Sequence, residues 1–201
     1  MNKIIHNLIM KIGETNSDFT EIQLKKMEYG LLCIFSDLTK AIVYFVLFFL
    51  VHLEQYFIIS LVFFCPLRLF LGGYHADTYL RCFFMSFIIF LISILTGKFL
   101  AINIIATIIL QTISLILVIV FAPVDNVNKP IKSIQRRNKL KFYSVIITSI
   151  LIVLCFLIPK KFLTTALISI VNAVIMMILG LINNNYNNKS NISNISINKT
   201  L

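Results

Sequence analysis

From Leu31 to Ile182 the chain is a succession of apolar runs broken at short intervals by charged or turn-forming residues, and the polar positions do not recur with any strand-like alternation. Several runs approach the ~20 residues that cross a hydrocarbon core as an α-helix. Spans are expected near 31–51, 55–71, 82–96, 99–122, 142–158 and 162–182. A membrane β-barrel needs polar residues alternating with apolar ones, whereas the run from Phe83 to Ile92 is apolar on every face. The expected fold is therefore all-α: a polytopic integral membrane protein with about six transmembrane helices.

The first residues follow a different rhythm. Apolar side chains at Ile4, Ile5, Leu8, Ile9 and Ile12 have the three-four spacing of an amphipathic helix that lies on a membrane surface. This stretch lacks the small-residue cleavage site of a secretory signal. Asp18, with Glu21 three residues later, is the expected start of a second short helix leading into the first span. Residues 1–182 read as one membrane domain, and the Asn- and Ser-rich stretch 183–201 as a disordered tail.

Composition fits this reading. Of 201 residues, 59% are hydrophobic and 13% charged, and the mean hydropathy is +0.93. Lys and Arg number 18 against eight Asp and Glu, an excess that raises nucleic-acid binding until the basic residues are located. Fifteen of them fall on the side of the termini, Lys40 among them, and only Lys98, Lys160 and Lys161 on the other. By the positive-inside rule both termini are cytoplasmic, and no nucleic-acid partner is implied. Cys33, Cys65 and Cys155 fall inside apolar runs and Cys82 on the reducing side, so no disulfide is expected.

Titratable, nucleophilic and glycine residues gather in one place, from Arg68 to Cys82. A cysteine thiolate is a strong nucleophile and an imidazole can take its proton near neutral pH, which makes Cys82 and His75 candidates for cysteine–histidine acyl transfer. On one continuous helix, seven residues would hold them roughly 10 Å apart along the axis, so the chain has to bend. Gly72-Gly73 supplies the bend and Asp77 the expected N-cap of a new helix through Cys82. Thr78 and Tyr79, four and three residues before Cys82, would share its face and offer hydroxyls. The positive end of that helix, with Arg68 and Arg81, would favour the thiolate. Arg68 lies between two leucines and requires a partner; as a bare boundary residue it would need none. His6 and His52 stand alone, and no histidine and cysteine spacing suits a metal, so no metal or cofactor is expected.

The pattern Arg-x4-Gly-x-His-x6-Cys, through Arg68, Gly73, His75 and Cys82, resembles the signature of the AgrB family, the membrane peptidases of accessory gene regulator quorum sensing. A second stretch, Ala122-Pro123 followed by Asn128-Lys129-Pro130, is similar to another of that family's motifs. The resemblance implies a cysteine endopeptidase with acyl-transfer activity: Cys82 as nucleophile and His75 as general base, with Arg68, Gly72, Gly73, Thr78 and Tyr79 in support. The implied partner is an AgrD-type precursor peptide, whose carboxyl-terminal tail is removed and whose remaining segment is closed into a thiolactone or lactone ring. Lys129, Lys132, Arg136 and Arg137, in a basic loop, are the expected contacts for an acidic tail, with anionic lipid an equal claimant on the same charges. The resemblance also implies the plasma membrane of a bacterium, whose bilayer is the second partner, and a homodimer stays open. The rival reading is a small peptide transporter or exporter without proteolytic chemistry.

Overall fold

The computed structural model describes residues 2–15, 19–74, 78–124 and 133–197. Among them every regular element is a helix: α1 (Asn2–Thr15), α2 (Glu21–Leu50), α3 (Glu54–Leu71), α4 (Tyr79–Phe99), α5 (Ile104–Phe121), α6 (Ile134–Leu157) and α7 (Lys160–Ile197). Helices α2 to α7 are long and apolar enough to cross a bilayer, so the protein is a helical multi-pass membrane protein with six candidate spans.

The chain divides into two compact units, Met1–Val51 and His52–Leu201. In the first, α1 packs on α2. Ile5 and Ile9 are buried, while Leu8 and Ile12, which the spacing sets on the same apolar face, stay exposed. His6 Nδ1 lies 3.0 Å from Glu28 Oε1, and Gly13 leaves room for Leu24, whose Cδ1 a Cβ would approach to 2.8 Å. The expected helix start is corrected. Thr20 is the N-cap of α2 and forms a capping box with Gln23, whose Oε1 accepts from the Thr20 amide at 2.9 Å. Glu21 is already helical, Asp18 lies outside the described residues, and the helix runs unbroken into the first span. Lys40 is also relocated: it lies within α2, buried, with Nζ 2.7 Å from Asp37 Oδ1. A lysine inside a span needs such a partner.

The second unit is organised around α7, which contacts α3, α4, α5 and α6. Its most apolar window is 56% buried, against 17–33% for the windows of the other four. Small and hydroxylated residues explain this position. Lipid tails are as apolar as leucine, so helices associate through close packing and hydrogen bonds, and both favour Gly, Ala, Ser and Thr at the contact. Thr164, Thr165, Ala166, Ser169 and Ala173 are all buried on α7. Ser169 Oγ meets Ser60 Oγ of α3 at 2.8 Å, and Asn172 Nδ2 donates to Ser93 Oγ of α4 at 2.9 Å. Gly97 of α4 packs against the Thr165 side chain so closely that a Cβ would overlap it. At that end of the bundle the Ile102 amide also donates to Thr164 Oγ1.

Successive helices run in opposite directions, which brings the carboxyl ends of α3 and α5 and the amino ends of α4 and α6 together at the other end. The stretch of α7 around Met176–Gly180 lies among them. This is the end that carries the candidate chemistry.

A clamped glycine loop and a cysteine in the first turn of a helix

Helix α3 ends at Leu71 and α4 begins at Tyr79, so the chain leaves the helix at Gly72-Gly73 as their conformational freedom predicts. Gly72 has φ 71° and ψ −144°, and Gly73 has φ 111°. Both also face backbone: a Cβ on Gly72 would overlap the Val124 carbonyl oxygen, and one on Gly73 would stand 2.5 Å from the Met176 carbonyl oxygen and 2.8 Å from Arg68 Nη1.

The carbonyls left over at the end of α3 are taken up one after another. Phe70 O accepts from Ser144 Oγ of α6 at 3.0 Å, and Leu71 O from the Val124 amide at 2.9 Å. The latter belongs to an isolated parallel bridge between Gly72 and Val124, beside the cis peptide Ala122–Pro123. Gly72 O accepts from Arg68 Nη1 at 2.7 Å, and Tyr74 O accepts from Arg68 Nη2. The Tyr74 amide donates to Met176 O of α7 at 3.0 Å. Buried backbone groups require partners, and α3, α6, α7 and the segment that follows α5 supply them here. Arg68 thus has the partner that its half-buried position demands, and its forked guanidinium reaches two carbonyls at once.

Thr78 opens the next helix. Its Oγ1 accepts from the Arg81 amide at 3.4 Å and its carbonyl oxygen from the Cys82 amide at 3.0 Å. Thr78 therefore takes the N-cap role expected of Asp77, which lies outside the described residues. Cys82 falls in the first turn of α4 and is half-buried. Side chains on a helix lean toward its amino terminus, which directs the thiol back over the turn that begins at Thr78. Tyr79 and Arg81 are exposed, and the Tyr79 ring lies 6.5 Å from that of Phe83.

The other expected site residues are distributed as follows. His75, Lys129 and Lys132 lie outside the described residues. Arg136 and Arg137 are exposed, with Lys139 and Lys141 beyond them. These four occupy the first two turns of α6 instead of a loop, because α6 begins at Ile134, well before the expected 142. Arginine and lysine are good helix formers, and a helix does not stop where its apolar run does. Among the described residues no three His, Cys, Asp or Glu side chains gather as metal ligands do. Ser144, Val124, Met176 and Gly180 hold the loop without having been singled out by the sequence; only the isolated glycine in an apolar span carried a local signal.

Six helices long and apolar enough to cross a membrane, with Cys82 in the first turn of α4 and a hydrogen-bonded glycine pair at the end of α3, define a multi-pass membrane protein. The family model for accessory gene regulator B matches residues 1–197. The chain is 32% identical over 174 residues to an AgrB-like protein of Clostridium beijerinckii, covering 86% of each chain. It is 27% identical over 163 residues to accessory gene regulator protein B of Staphylococcus haemolyticus, covering 80% of this chain and 86% of that one. The corresponding protein of Staphylococcus aureus strain Newman is 25% identical over 149 residues, 74% of this chain and 78% of that one. No solved structure matches the chain. The chain belongs to the accessory gene regulator B family.

Proposed function

We propose that this protein is a membrane cysteine endopeptidase of quorum sensing, which trims an AgrD-type precursor peptide and closes the product into a ring. The observation that carries the reading is the placement of Cys82 in the first turn of α4, with Gly72 and Tyr74 ahead of it tied by hydrogen bonds to Arg68 of α3 and Met176 of α7. A nucleophile works best when the groups around it are already ordered, because ordering them then adds nothing to the barrier. Family membership supports involvement in peptide processing for the accessory gene regulator system.

In this mechanism His75 takes the proton of the Cys82 thiol, and the sulfur attacks the carbonyl carbon at the end of the future signal segment. The tetrahedral adduct collapses with cleavage of the C–N bond. His75 returns the proton to the departing amine, the carboxyl-terminal tail leaves, and a peptidyl thioester remains on Cys82. A cysteine thiol, or a serine hydroxyl, within the bound peptide then attacks the thioester carbonyl. Cys82 is freed and the ring is closed. Exchange of one thioester for another is nearly balanced in energy, so departure of the tail helps to draw the sequence forward. An interfacial site disfavours hydrolysis of the intermediate by limiting water, and the intramolecular attack benefits from high effective concentration.

The exposed basic turns of α6, together with Lys129 and Lys132, attract the acidic tail of the precursor at the cytoplasmic surface, where both termini also lie. A direct test is to stop the reaction early and map adducts on the protein. A precursor fragment on Cys82, released by hydroxylamine as thioesters are, supports the mechanism. Turnover with no adduct on Cys82, and undiminished in Cys82→Ser, overturns it.

A further inference from the structure

Both backbone polar groups of Tyr74, the residue directly before His75, are committed. Its amide donates to Met176 O at 3.0 Å and its carbonyl oxygen accepts from Arg68. On the far side of positions 75–77, Thr78 is fixed as the N-cap of α4. Tyr74 and Thr78, the described residues on either side of positions 75–77, are thus both held.

The anchor at Tyr74 is unusual in its acceptor. Met176 lies inside α7, where a carbonyl ordinarily serves the amide four residues later, here that of Gly180. A second donor from outside reaches such a carbonyl only where the helix surface is bare. Gly180 leaves it bare: a Cβ there would stand 2.5 Å from the Gly73 carbonyl carbon and Cα and from the Tyr74 nitrogen. Carbon atoms in contact prefer about 3.5–4.0 Å. Gly73 answers from the loop side, since its own Cβ would meet Met176 O at 2.5 Å and Met177 Cα at 2.8 Å. Two glycines from distant parts of the sequence thus allow one backbone to rest on another.

Given the catalytic reading of Cys82 and His75, on which this rests, we propose that Gly180 is a positioning residue of the site: by keeping α7 bare it lets Met176 hold Tyr74, the residue from which the chain enters His75. Gly180 touches no reacting atom. It differs from Gly97, which packs at the opposite end of the bundle against a side chain, that of Thr165. The atoms facing Gly180 are backbone atoms of the two residues that lead into His75. A Cβ at 180 has to push that backbone away and take the Tyr74–Met176 bond with it. Tyr74 leads into the proposed base, so the effect falls on the chemical step, and the surface of α6 proposed to attract the precursor is untouched.

The test compares wild type, Gly180→Ala and the lipid-side control Leu179→Ala in liposomes, with a cognate precursor as probe. Gly180→Ala is expected to lower kcat at least about tenfold while KM stays within about twofold. The limb of the kcat/KM profile against pH that reports the base should move, and Leu179→Ala should behave as wild type. Loss of bundle stability alone would lower the active fraction without moving that limb. Hydrogen exchange on wild type gives a second readout that no folding defect can obscure: the Tyr74 amide should exchange far more slowly than exposed loop amides. Wild-type kcat and pH profile in inserted Gly180→Ala, or fast exchange at Tyr74, overturns the proposal and leaves the peptidase reading standing. Failure of wild type itself to cleave a verified cognate precursor would instead remove the peptidase reading, and this role of Gly180 with it.

Discussion

The amide of Tyr74 donates to the carbonyl oxygen of Met176 across 3.0 Å, joining the loop ahead of His75 to the most buried of the membrane-spanning helices. Arg68 closes the same loop from the other side through Gly72 O and Tyr74 O. Every acceptor in the clamp is a main-chain carbonyl, while the donors are the Tyr74 amide and the Arg68 guanidinium, and the glycines allow the backbones to approach.

Arg68→Lys should not be a conservative change. A lysine is a point charge on a flexible stem and does not span two carbonyls in the fixed fork that arginine offers. Hydrogen bonds to charged groups are each worth about 1.5–3 kcal/mol, and losing one through the loop should lower kcat/KM by about 10- to 100-fold. Initial rates of tail release at matched levels of inserted protein give the answer. Full activity with lysine would show that the charge, not the fork, is what position 68 requires.

Reversing charge at Arg136→Glu with Arg137→Glu should raise the precursor KM and leave kcat nearly unchanged, because these side chains are exposed on α6 and act on encounter and holding. The difference from wild type should shrink at 1 M salt, where the screening length is about 3 Å. A titration of KM against ionic strength decides the matter. Equal KM values at low salt would free these residues from any part in substrate binding.

Much of this arrangement was legible in the sequence. Hydropathy located six spans because a bilayer imposes a length and an all-round apolarity that few other settings do. It placed α3 to within a residue but misplaced several helix starts, since those are set by caps: α4 starts at the Thr78 cap and α5 at the Asn103 cap, which accepts from the Ile105 amide at 3.3 Å. The basic start of α6 read as loop because hydropathy registers charge but not helix propensity. The break at Gly72-Gly73, the candidacy of Cys82 and the need of Arg68 for a partner all followed from local chemistry. Which groups would meet Arg68, and that Met176 and Gly180 would hold the loop, depended on contacts between residues far apart in the chain, and these leave no local pattern.

Asn172→Ala should separate stability from chemistry. It removes the bond from Nδ2 to Ser93 Oγ, which joins α7 to α4, and a second to Ile89 O at 3.4 Å. Hydrogen bonds between membrane helices are worth about 0.6–1.7 kcal/mol, and the loss of stability, read by unfolding in bicelles, should fall in that range. KM should not change. A destabilisation several times larger would mean that Asn172 organises more of the bundle than its two bonds account for.

The central claim is that Cys82 and His75 perform acyl transfer on a precursor peptide. Mass spectrometry of a verified cognate precursor incubated with wild type, Cys82→Ala and His75→Ala in liposomes tests it most directly. A released carboxyl-terminal tail together with a ring-closed product, formed by wild type alone while both variants still bind the precursor, is the predicted result. Tail release by Cys82→Ala at the wild-type rate, or an intact precursor that all three proteins bind or carry across the bilayer, would contradict it.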